Sequence, residues 1–143
     1  MYLVVLNLEN PAERVIIKPV EGRPVRIGRK PESLPEEAVD LIRLRWNDRL
    51  VSRNHCQADR IGDTLQLKRL PALTGRAKPN ALYTFTPPRD RITLEEPVSL
   101  APGEGAIIGA KGQTAIVWLN EVEDLEADLI QYCDSLEASH DDY

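Results

Sequence analysis

Three short stretches of this chain carry side chains suited to holding an anion. Ile27-Gly28-Arg29 sets a glycine and an arginine where a β-rich run ends. Leu50-Val51-Ser52-Arg53-Asn54-His55 leads into another such run, and Lys78-Pro79-Asn80 forms a turn before Ala81-Leu82-Tyr83. A phosphate dianion needs charge-assisted donors and little else. Arg29 offers a rigid fork of N–H groups, Ser52 a hydroxyl, and the loop at Arg53 a backbone amide. The Asn80 amide, which donates and accepts at once, is suited to holding the backbone of a bound peptide. Singly, each residue has a plainer reading: a surface arginine, a serine capping a turn, a histidine satisfied by its own scaffold. As an ordered set they point to a binding site.

Catalysis is a poorer fit. Ser52 and His55 suggest a nucleophile and a base, but they lie three residues apart where a loop enters a strand, and no acid stands ready to orient the imidazole. Residues 103–112 brush against a phosphate-binding loop, yet Ala110-Lys111-Gly112 stands where Gly-Lys-Ser/Thr is required. Zinc would have to draw on His55, Cys56, Cys133 and His140, and adjacent residues on a strand point to opposite faces. No cofactor or metal is implied, and the expectation is a protein that is not an enzyme.

The elements that must position these residues read as short strands. Leu3 to Leu8 alternate, residues 14–18 form a β-rich run, and Val25-Arg26-Ile27 a third. Ile42-Arg43-Leu44-Arg45-Trp46 alternates apolar and basic, as does Leu65-Gln66-Leu67-Lys68 after the Gly62-Asp63 turn. Further runs fall at residues 81–86, 91–95, 98–100, 106–108 and 115–119. Many short strands with Pro and Gly turns predict an all-β antiparallel sandwich over residues 1–119. Loops at one end of such a sandwich converge although far apart in sequence.

Two segments depart from this pattern. Residues 30–40 are polar, hold two prolines and read as a long loop with one helical turn at 35–39. Residues 120–143 read as an acidic amphipathic helix. Asn120 is a good N-cap with Glu123 three residues on, and Val122, Leu125, Leu129, Ile130, Cys133 and Leu136 form an apolar stripe. That helix either packs on its own sandwich, pairs with a second copy or a partner, or opens a linker to an effector domain.

The 143 residues suit one domain with a sizeable core. The net charge of −5 hides a split. Residues 120–143 hold nine acids and no Lys or Arg, whereas residues 1–119 hold all 18 basic residues against 14 acids. A basic body suits an anionic partner. Nucleic acid is disfavoured, because aromatic residues are few and the tail would repel it. Two cysteines are too few for a disulfide framework and fit a reducing compartment. No stretch is apolar enough to cross a membrane, and the first residues lack the layout of a signal peptide, so the expected location is cytoplasmic, away from membranes.

The ordered set resembles the forkhead-associated (FHA) domain: Gly28-Arg29, then Ser52-Arg53-Asn54-His55, then Asn80 in a turn, then Leu100 followed by Gly103-Glu104, Ile107 and Gly109. The resemblance spans residues 2–119. It implies a sandwich of about eleven strands whose apical loops bind phosphothreonine in a partner protein, a Ser/Thr kinase or its substrate. It further implies that Arg29 and Ser52 contact the phosphate with help from Arg53, that Asn80 holds the peptide backbone, and that Gly28 and His55 are architectural. The chain departs from the family pattern around Asn80, which follows Pro79 and precedes Ala81, and Lys78 could supply charge there. The stretch from Arg29 to Ser52 is long, and its acids Glu32, Glu36 and Glu37 would flank the site. The rival within the same fold is a scaffold that binds partners without phosphate, through its faces or its helix.

Overall fold

The computed structural model describes residues 1–33, 36, 38–49, 51–70, 82–84 (backbone only), 97–109 and 113–120. Ten strands run through them: β1 (Tyr2–Asn7), β2 (Arg14–Ile17), β3 (Val25–Gly28), β4 (Asp40–Arg43), β5 (Cys56–Ile61), β6 (Thr64–Arg69), β7 (Leu82–Thr84), β8 (Val98–Leu100), β9 (Gly105–Ile108) and β10 (Thr114–Leu119). They form two five-stranded sheets, ordered β2-β1-β10-β9-β7 and β4-β3-β5-β6-β8. The described residues therefore form an all-β sandwich, as the alternating runs predict.

Local chemistry sets the pairings. β5 and β6 meet across Ile61↔Thr64, leaving Gly62 and Asp63 as the loop. Gly62 has φ +61° while among the described residues no residue other than glycine has a positive φ, which fits the type II′ turn that twists with a hairpin. One pair breaks the expected antiparallel pattern. β3 and β4 are parallel, Val25 opposite Asp40 and Gly28 opposite Arg43, a pairing that needs a longer connection than a hairpin turn. β4 also ends earlier than the alternation at residues 42–46 predicts. The Leu44 amide bonds the Gly28 carbonyl at 3.0 Å, the last that β3 offers, and the chain then leaves the edge.

The core lies between the sheets. Leu3, Val5, Ala106, Ile108, Ile116 and Trp118 meet Val25, Ile27, Ile42, Ala58, Leu65, Leu67 and Leu100. β1, β9 and β10 are also apolar on their other face, where Val4, Leu6, Ile107, Ala115, Val117 and Leu119 are buried as a second cluster.

Two tryptophans fasten the layers. At one end Trp118 donates its indole N–H to the Asp63 carbonyl at 2.8 Å, tying β10 to the β5–β6 turn. At the other, Trp46 Nε1 donates to Thr114 Oγ1 at 2.9 Å, and that hydroxyl donates to Asp48 Oδ2 at 2.8 Å. All three side chains are buried, so the loop after β4 is fixed to the first residue of β10. The expected strand at 91–95 and the acidic helix lie outside the described residues, as do residues 35 and 37 of the expected helical turn; of the rest of that turn, residue 36 is in a turn and 38–39 are not helical.

Two measurements follow. Thr114→Val keeps the shape but strands the indole N–H and removes a donor from a buried carboxylate, so chemical denaturation should show a loss of about 2 kcal/mol. Burial pushes the Cys56 thiol up to about 12. The folded protein keeps that proton where the unfolded chain loses it, so this contribution to stability is full below pH ~9 and shrinks above it. Thermal melts at rising alkaline pH should fall more steeply for the wild type than for Cys56→Ala.

Candidate functional site

The site begins with a backbone contact. A Cβ on Gly28 would stand 2.0 Å from the Arg53 carbonyl oxygen and 2.8 Å from that of Ser52, so the loop can lie on the end of β3 only because residue 28 has no side chain. The ladder then continues past the strand: the Arg29 amide donates to the Ser52 carbonyl at 3.0 Å and the Lys30 amide to the Arg53 carbonyl at 3.2 Å. The structure thus brings together Gly28, Arg29, Ser52, Arg53 and His55.

His55 is the brace beneath. Its side chain is buried, its own amide donates to the Ile27 carbonyl at 2.9 Å, and its Nδ1 accepts the Ser52 amide at 3.0 Å. Accepting there requires Nδ1 to be unprotonated. This bond engages the backbone of Ser52, which makes the imidazole a support for the loop. Asn54 holds the other flank, its Oδ1 accepting the Glu32 amide at 3.0 Å while Arg26 Nη1 donates to the Glu32 carbonyl at 2.9 Å. The first part of the long loop is thereby tied to the Ser52–His55 segment.

Above this scaffold stand three cations. Arg29, Lys30 and Arg53 are exposed, and among the described residues their side chains make no hydrogen bond or ion pair. Ser52 beside them in the ladder is half-buried. Exposed cations brought together by their backbones, with a hydroxyl beside them, can take up an anion through charge-assisted bonds without first breaking internal ones. Among the described residues no three of His, Cys, Asp and Glu could jointly hold a metal ion. Lys78 and Asn80 lie outside the described residues.

Sequence reasoning overlooked two participants. Lys30 reads as the start of a polar loop, and only the ladder to Arg53 shows that it shares the surface. Arg69 is nearly buried opposite Cys56, one residue from Leu70, whose amide bonds the His55 carbonyl at 3.1 Å. A lone basic residue ending an alternating strand gives no signal of such a position.

Solved structures share this architecture. The FHA domain of an Arabidopsis thaliana hypothetical protein matches with a TM-score of 0.52 at 13% identity, over 85% of this chain and 89% of that one. The FHA domain of a Chlamydia trachomatis protein matches at 0.53 and 13%, over 85% of this chain and 100% of that one. The N-terminal FHA domain of Saccharomyces cerevisiae Rad53p, solved with a phosphothreonine peptide, matches at 0.54 and 14%, over 85% and 95%. This chain has the FHA fold. No family model matches the sequence, and no curated protein does. An FHA fold at such low identity is held by the pattern of apolar strands and tight contacts rather than by shared residues at large.

Gly28→Ala tests the contact on which the site stands. The methyl group would press on backbone that has no rotamer by which to yield, so urea unfolding should show a loss of about 2–3 kcal/mol. Unchanged stability would mean that the loop does not lie on β3.

Proposed function

We propose that this chain is a non-catalytic phosphopeptide-binding module that receives phosphothreonine of a partner protein at the loop end built on Gly28. The observation that carries this reading is the backbone ladder that sets the exposed Arg29, Lys30 and Arg53, which make no side-chain bond to the described residues, beside Ser52 on a braced loop. The fold supports it, since one structural neighbour was solved with a phosphothreonine peptide. In this reading Arg29 and the Ser52 hydroxyl bind the phosphate, and Arg53 and Lys78 add charge. Asn80 holds the peptide backbone, while Gly28 and His55 keep the loop in place. The partner is a threonine-phosphorylated protein, a Ser/Thr kinase or its substrate. Ser52 and His55 serve recognition and not acyl transfer, because the imidazole nitrogen that a nucleophile would need accepts a backbone amide.

Titration with a phosphothreonine peptide array, followed by fluorescence anisotropy, tests the proposal. Arg29→Ala and Ser52→Ala should each weaken binding by about 2 kcal/mol, roughly thirtyfold, because each removes a bond to a charged group. Matched phosphoserine and unphosphorylated peptides should bind less well, and added salt should weaken what remains. Binding that ignores both the phosphate and Arg29 would favour the phosphate-independent scaffold.

A further inference from the structure

The outer face of the first sheet is apolar and sealed. Val4 and Leu6 on β1, Ile107 on β9, and Ala115, Val117 and Leu119 on β10 are 0–3% exposed, although they point away from the core between the sheets. The register places Val4 opposite Val117, and Leu6 and Ile107 on either side of Ala115, so the six form one continuous patch. Among the described residues only Tyr2 and Leu8, both from β1 or its end, add to the cluster. Ile16, opposite Val4 on edge strand β2, is by contrast 36% exposed. The covered area is therefore bounded, about three strands wide, and centred on β10.

We propose that residues 121–143 cover this face of their own sandwich, as a helix laid on it by the apolar stripe Val122, Leu125, Leu129, Ile130, Cys133 and Leu136. Three observations choose this occupant. The segment begins one residue after β10, whose last residue, Leu119, belongs to the patch, and Asn120 between them is exposed as an N-cap should be. From Val122 to Leu136 a helix would run about 21 Å at 1.5 Å per residue, and a six-residue strand runs about 20 Å, so stripe and patch match in length. Most of the nine acids fall on the other faces of such a helix and would stay in water. The tail is then an integral layer of the domain. It keeps its negative charge on the flank of the sandwich, and neither a dimerising helix nor a linker is needed to account for its stripe.

Cys133 provides the test, in the full-length chain. Native protein is treated with a thiol reagent, the label is located by peptide mapping, and mass is followed by light scattering. Cys133 should react on the order of a hundredfold more slowly in the native monomer than in denaturant. Leu129→Asp should raise its rate towards the denatured value while Trp118 keeps its folded fluorescence, and Val117→Asp should do the same from the sheet side. Should Val117→Asp unfold the sandwich, Leu129→Asp decides alone. Rapid labelling of Cys133 in native wild-type protein overturns the proposal, as does protection that disappears on dilution, which would mark a second copy as the cover. No step of this test depends on phosphopeptide binding.

Discussion

Much of this molecule depends on one close approach, that of the Ser52–Arg53 backbone to the α-carbon of Gly28. With nothing but hydrogen on residue 28, the loop can lie on β3, and two further backbone bonds, Arg29 to Ser52 and Lys30 to Arg53, extend the ladder past the strand end. A ladder at that point fixes where three long cationic side chains start but leaves their ends in water. In high dielectric the three repel one another only weakly, so clustering costs little. An anion arriving there would meet donors that have no bond to the described residues to give up. The affinity such a site can reach is thus prepared by backbone geometry, and the side chains supply only charge.

That loop must also be held from below and from the far sheet. His55 does the first, satisfying the Ser52 amide that the tight approach turns inward. Asp48 and Trp46 do the second through Thr114, which makes β10 the strand on which both ends of the sandwich depend, since Trp118 anchors the opposite end. A buried carboxylate is a poor source of net stability when replaced as a whole, but once present it fixes one arrangement, because any shift costs it the Thr114 hydroxyl. Specification of the loop path is the better account of Asp48.

Period-two alternation made the sandwich legible in the sequence, and the Gly28-Arg29 and Ser52–His55 islands announced a shared loop end. What could not be read has identifiable causes. Alternation reports faces and not partners, so nothing at residues 40–43 distinguishes a parallel neighbour from an antiparallel one, and the parallel β3–β4 pair came as a departure. β1 and β10 are buried on both faces, which turns their pattern into continuous apolar runs and hides the second cluster. Trp46 read as one more core residue, because the indole's hydrogen bond runs to Thr114, 68 residues away, and no local spacing encodes it. Lys30 and Arg69 were missed for the same reason: their neighbours are set by cross-strand register.

The long loop after Arg29 adds a different kind of constraint. Its amide at Glu32 is held by Asn54 and its carbonyl by Arg26, so a negative side chain starts from backbone tied to the Ser52–His55 segment. Such a pairing of signs narrows what can dock. A carboxylate brought to the side of Glu32 would meet like charge at short range, where repulsion is least screened. A basic residue in the same place would meet attraction. If the cations take up phosphate as proposed, the loop would turn that general attraction into a preference about what flanks it. The anchors at Glu32 belong to the fold, since Asn54 lies in the same stretch that Gly28 admits.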